Sequence, residues 1–255
     1  MNTFFGLEWD GTPFRLFGPS HLAALAAVLA INIALFFWKN PGETARRRVR
    51  YGLAAALLVD EAILHIWYIV NGVWSYQTML PFHLCAVLIY ATSLMLVTNN
   101  ATLRYRIYEL AYFFGIAGAL QALLTPDQGI YNFPHWRYLS VFISHGTLVT
   151  SAMYMTVVEK YRPTWGSFKR AWLTVHLYAV GVLGLNFVLG SNYLFINRVP
   201  SFPSLIDLLV SLLGPWPWYL IGLEVIALIL MLLVYLPFAI KDWVSRRGAA
   251  QAASM

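Results

Sequence analysis

One cysteine and six histidines stand out in a chain of 255 residues that is 60% hydrophobic and only 11% charged. In such a setting a thiol or an imidazole is a candidate for chemistry, because ionisable groups removed from water are costly to retain. Cys85 and His145 are the pair of first interest. A nucleophile needs a base within reach, and a histidine beside a thiol raises the thiolate fraction. Read alone, Cys85 is equally a small apolar filler. Ser144, beside His145, offers a second nucleophile but lies about 100° round a helix. His83 is two residues from Cys85, about 200° away, so the two cannot share a target unless Pro81 distorts that turn.

The other polar candidates surround this pair. Glu61 and His65 are four residues apart and share a helix face, either as a functional pair or as glue between helices. Asp60 is beside them. Glu61, His65, His83 and His145 together could furnish a zinc-type or di-metal site. No HExxH spacing is present, so separate helices would have to supply the ligands. Arg137 follows Pro134-His135-Trp136 and suits either an interfacial anchor or a fork gripping a phosphate. Gln121, Asn186, Asn192 and Glu224 complete the group, with His21 at the start of the first apolar run. Gly115, Gly118, Gly181 and Gly184 read as sites of close helix packing.

These residues must be held by helices that cross a membrane. A span needs about 20 mostly apolar residues. Seven windows qualify, at about 19–38, 51–71, 80–98, 105–124, 137–158, 171–190 and 216–240. The chain therefore reads as all-α: a polytopic helical bundle of about seven transmembrane helices in a single membrane domain, 1–255. Phe202–Leu213 is apolar but too short to cross and contains Asp207, so it reads as interfacial or re-entrant. Fourteen of the 17 Lys and Arg fall in alternate connections and the C-terminal tail; only Arg15, Arg137 and Arg198 fall on the other side. The positive-inside rule then places the N-terminus outside and the C-terminus in the cytoplasm. The net charge of +6 thus orients a membrane protein and does not imply nucleic acid. Trp74, Tyr76, Tyr131, Trp136, Tyr193, Trp216 and Trp218 cluster at the outer ends as an aromatic belt would. The acidic, aromatic first ten residues lack a basic n-region, so no cleaved signal peptide is read. One cysteine forms no internal disulfide. An odd helix count without an internal repeat argues against a simple inverted-repeat transporter.

With that orientation, His21, Glu61, His65, His83, Cys85, His145 and Glu224 fall in the outer half, roughly 3 to 15 Å below the boundary. His176, and Glu109 near the rim, are nearly alone in the inner half. A polar cavity open to the outer face or outer leaflet follows.

Four stretches carry a resemblance to a known family. They are Leu80-Pro81-Phe82-His83-Leu84-Cys85; Phe133-Pro134-His135-Trp136-Arg137-Tyr138 through Ile143-Ser144-His145-Gly146; Gly190-Ser191-Asn192-Tyr193-Leu194; and Leu213-Gly214-Pro215-Trp216-Pro217-Trp218-Tyr219. Over nearly the whole chain the sequence resembles the YwaF-like bacterial integral membrane proteins. That family is similar in turn to the transmembrane protein 164 family, whose animal member moves fatty acyl chains between phospholipids. More distantly, the chain resembles androgen-induced membrane hydrolases, which use a threonine and a histidine. The closer resemblance implies that Cys85 and His145 correspond to the catalytic cysteine and histidine.

The expected function is therefore a membrane-embedded lipid acyltransferase or acyl hydrolase with a thioester intermediate. It would act on a phospholipid or other acyl lipid, without cofactor or metal, in the bacterial plasma membrane. Glu61, His65, His83, Arg137, Asn186, Asn192 and Glu224 would line the pocket. Two other classes remain open: a transporter or receptor for a small polar or anionic ligand, and a metal-dependent membrane enzyme. The sequence does not specify the oligomeric state.

Overall fold

Each of the seven apolar windows forms a helix, because in a bilayer only a helix satisfies a lone segment's backbone hydrogen bonds within itself. The computed structural model describes residues 4–200 and 204–252. Its helices are α1 (Pro19–Phe37), α2 (Glu43–Val70), α3 (Leu84–Val97), α4 (Ala101–Leu124), α5 (Trp136–Val157), α6 (Trp165–Leu189), α7 (Leu205–Leu213) and α8 (Tyr219–Ala252). No strand occurs among the described residues. Five helices, α1, α2, α4, α6 and α8, are long and apolar enough to cross a membrane. At 14 residues α3 is shorter, about 21 Å. At 22 residues α5 is long enough, but hydroxyls and His145 dilute its apolar character.

The helix ends depart from the apolar windows in instructive ways. α2 begins at Glu43, eight residues before the expected Tyr51, so Arg46, Arg47, Arg48 and Arg50 lie on the helix and not in a loop. Charge ends a membrane span without ending a helix, and arginine is a good helix former. α3 begins four residues later than expected, after Pro81, and His83 is its N-cap. α4 contains a π-helical turn at Ala111–Gly115 that nothing in the sequence announces. Of the short piece expected over 202–213, Phe202 and Pro203 lie outside the described residues. The rest is α7, started by a capping box in which Ser204 and Asp207 satisfy each other's backbone N–H groups. Asp207 is thus a cap.

The centre of the bundle is α5, which packs against α1, α2, α3 and α4. The core around it includes Leu57, Leu88, Met95, Tyr108 and Phe113 with Leu148 and Tyr154 of α5 itself, all at most 3% exposed. Gly146 lets α1 approach closely, since a β-carbon there would stand 2.9 Å from Val28 Cγ2. Gly181 and Gly184 have no neighbour within 4 Å of such a β-carbon, so they are not the packing positions their spacing suggested. They lie on α6, which is largely bare, as α8 is.

Polar contacts tie both ends of the bundle. At one end, buried Arg50 of α2 bonds Glu159 beyond the end of α5, and also Glu43. Arg106 and Arg170 both bond buried Glu109. At the other end, the stretch before α1 lies across the ends of α2 and α5. Four successive carbonyls accept there: Phe4 O from Trp136 N, Phe5 O from Trp67 Nε1, Gly6 O from His135 Nε2 and Leu7 O from the Tyr131 hydroxyl. His135 Nδ1 accepts from Arg137 N, so its proton must be on Nε2. Burial holds this imidazole below the ordinary histidine value, which keeps it neutral near pH 7.

The Arg50–Glu159 contact is buried on both sides, with side chains 7% and 9% exposed. Removing Glu159 leaves the buried Arg50 charge with only the exposed carboxylate of Glu43 as partner. Glu159→Gln is expected to destabilise the protein by about 3–5 kcal/mol, read as a lower unfolding temperature in detergent. Arg50→Met with Glu159→Leu should recover most of that loss.

Candidate functional site

Most polar groups in this end of the bundle are already engaged, and the engagement assigns their roles. His21 is fully buried; Nδ1 accepts from Phe17 N at 2.9 Å and Nε2 donates to Leu123 O at 2.7 Å. It staples α1 to the end of α4. Fully buried Asn186 accepts on Oδ1 from Tyr193 N and the Ser191 hydroxyl and donates to Tyr193 O. Asn192 accepts on Oδ1 from Asn197 N and Arg198 N and donates to Arg198 O. Both asparagines, expected to line a pocket, instead build the turn after α6, where Leu194 and Phe195 adopt positive φ. Tyr193, read as a belt residue, is fully buried in that turn.

His83 belongs to the same turn. Its Nδ1 accepts from Leu194 N at 3.3 Å, and its ring packs against Tyr193 and Phe195. Glu61 and His65 form the expected pair, Oε1 to Nε2 at 3.3 Å, extended by Trp74 Nε1 donating to His65 Nδ1 and the Tyr90 hydroxyl at 3.5 Å from Glu61. Arg137, a half-buried residue, stacks over Trp67 and Tyr68, its guanidinium 5.8 and 5.2 Å from the ring centroids.

Glu224 and His176 correct the depth assignment. Read in opposite halves, they are hydrogen-bonded at 2.8 Å. Glu224 lies five residues after the start of α8 at Tyr219, whereas His176 lies 13 residues before the end of α6 at Leu189. The two helix ends are therefore offset by roughly two turns. The apolar windows gave spans of similar length and concealed that offset. Among the described residues no three His, Cys, Asp or Glu side chains cluster as metal ligands do. Glu61 and His65 are together, but His83 and His145 are held elsewhere, so the four-ligand site is not assembled.

Among the described residues, Cys85 Sγ and His145 Nε2 are left without a polar partner, as are His83 Nε2 and one oxygen of Asp60. Cys85, the second residue of α3, is partly exposed and makes no hydrogen bond among the described residues. It sits against Gly118 of α4, where a β-carbon would stand 3.9 Å from Sγ. No side chain caps the N-terminus of α3, so backbone N–H groups are free beside the thiol. His145 is also partly exposed. Its Nδ1 lies 2.9 Å from Val141 O and 3.1 Å from Ser144 Oγ, and Nε2 contacts neither. Thr156, eleven residues on and about 20° round the helix, bonds Tyr108 of α4 at 2.9 Å. The His145 stripe of α5 therefore faces α4, the helix against which Cys85 also rests. Thiol and imidazole are not hydrogen-bonded to each other.

Sequence reasoning treated Gly118 as helix packing and did not single out Tyr90 or Ser140. The Ser140/Ser144 spacing of four, opposite an aspartate in an apolar run, was the available signal.

An all-helical protein with several membrane-length helices and a thiol and an imidazole against one of them is an integral membrane protein. The chain belongs to the TMEM164 family, whose profile matches residues 16–235. It is 26% identical over 227 residues to an uncharacterized protein of Treponema pallidum (strain Nichols), spanning 88% of this chain and 90% of that one. No solved structure matches significantly.

Gly118 supplies a test of access to the thiol. Gly118→Ala makes only ordinary contact with Sγ, so it should be neutral or gain up to about 1 kcal/mol and leave alkylation of Cys85 unchanged. Gly118→Leu should cover the sulfur and slow alkylation by a small maleimide, measured by intact mass.

Proposed function

We propose that the protein is a lipid acyltransferase or acyl hydrolase of a bacterial plasma membrane, working through a thioester on Cys85. In this reading the chain is one membrane domain of seven spans, α1 to α6 and α8, with the N-terminus outside and the C-terminus in the cytoplasm. The observation that carries the reading is that Cys85 Sγ and His145 Nε2 are both without a polar partner among the described residues and belong to partly exposed residues on two helices that pack on α4. A site evolved only for packing would have filled or capped them.

The chemistry follows from the free atoms. His145 Nε2 takes the thiol proton, and Sγ attacks the carbonyl of a phospholipid ester. The uncapped N–H groups at the start of α3, beside the thiol, would receive the oxyanion as it develops. The C–O bond breaks, and the imidazolium returns the proton to the departing alcohol. In the second half His145 deprotonates an acceptor hydroxyl, from a lysolipid or water, which attacks the thioester and frees Sγ. Arg137 suits the lipid phosphate, because its guanidinium is stacked on aromatic rings and free to form a fork. Bases and nucleophiles tighten on substrate binding, and here Nε2 must reach Sγ.

The test uses purified protein in phospholipid micelles bearing a labelled acyl chain. Cys85→Ser and His145→Ala are each expected to lower acyl transfer or release by at least about 100-fold. Wild-type rates in both variants would sink the dyad.

A further inference from the structure

We propose that Ser144 is the positioning residue that sets the tautomer of His145, and that Asp60 anchors it through Ser140. The catalytic meaning of this rests on the acyl-transfer reading, but the tautomer does not.

The assignment comes from counting protons. The Ser144 hydroxyl has one proton, and its best acceptor is Ser140 O at 2.8 Å, with Val141 O more distant at 3.3 Å. Toward His145 Nδ1, 3.1 Å away, Ser144 Oγ can then only accept. The other neighbour of Nδ1, Val141 O at 2.9 Å, is also an acceptor. An Nδ1 facing two acceptors must carry the proton, which leaves the lone pair on Nε2. Free histidine prefers the opposite arrangement, so the helix imposes this one.

Ser144 is in turn held from another helix. Ser140, whose carbonyl receives the Ser144 proton, donates its own hydroxyl to Asp60 Oδ2 of α2 at 3.0 Å. Asp60 is 2% exposed, Ser140 1% and Ser144 7%. The second Asp60 oxygen has no partner among the described residues. A buried carboxylate with one bond is an expensive structural anchor, and it holds the turn of α5 that carries His145. The order is carboxylate, hydroxyl, peptide carbonyl, hydroxyl, imidazole. It puts a base and its orienting group in place before any substrate arrives.

The experiment is ¹⁵N NMR of the imidazoles in histidine-labelled protein at a pH where His145 is neutral. His145→Gln identifies its signals. Wild type should show Nδ1 protonated and Nε2 as the bare nitrogen. Ser144→Ala should shift signals toward the Nε2–H form, and Ser144→Thr, which keeps the hydroxyl, should restore the wild-type pattern. An Nε2–H signal in wild type overturns the proposal. So does an unchanged pattern in Ser144→Ala, which would mean that Val141 O suffices alone. Alkylation of Cys85 is read in the same samples. Ser144→Ala should slow it by roughly threefold to tenfold, the worth of one net hydrogen bond. A tautomer change without slower alkylation supports the role of Ser144 and counts against the cysteine–histidine reading.

Discussion

Everything at this end of the bundle follows from one constraint: a polar group that cannot reach water must find its partner inside the protein. The constraint explains why so many candidates are not reactive. His21 spends both nitrogens on α1 and α4, Asn186 spends its amide on the turn after α6, and His65 is shared between Glu61 and Trp74. These bonds are the scaffold. They place the start of α3 and the middle of α5 against α4 without using Cys85 Sγ or His145 Nε2. These two atoms are among the few left over after structural demands are met, together with His83 Nε2 and one oxygen of Asp60.

The same constraint shapes the packing. α5 carries His145 and a run of serines and threonines, and it is the helix surrounded by four others. Several of its hydroxyls bond their own backbone or a neighbour, as Ser144, Thr156 and Ser140 do. The apolar helices α6 and α8 are left outside with most of their surface bare. Hydrocarbon is the natural solvent for leucine and valine, so burying them against protein gains little there. The interior is therefore where polarity concentrates, the reverse of a water-soluble protein.

Helix identity was legible because apolar length is a direct readout of a spanning segment. All seven windows proved helical, and Glu61–His65 paired as their spacing required. What stayed hidden had specific causes. The π-helical turn at Ala111–Gly115 leaves no pattern, since every residue in it is buried and apolar or glycine. The early start of α2 was invisible because the apolar window ends where charge begins, although a helix continues through arginines. Asn186 and Asn192 looked like ligands because sequence gives a residue's type and not its partner. The pairing of His176 with Glu224 was lost because helices were taken as equal and aligned, and they are offset. The candidate pair, Cys85 and His145, was legible as residue types and a resemblance; the hydrogen bonds of Ser140 and Ser144 needed coordinates.

The central claim, a covalent acyl group on Cys85 formed with help from His145, is tested most directly by intact mass spectrometry. Protein is incubated with a single defined phospholipid and quenched in acid. The account predicts that one acyl chain is added at Cys85, is released by neutral hydroxylamine as a thioester must be, and fails to accumulate in His145→Ala. Acyl transfer that proceeds in Cys85→Ala, or an adduct that survives hydroxylamine, would contradict it.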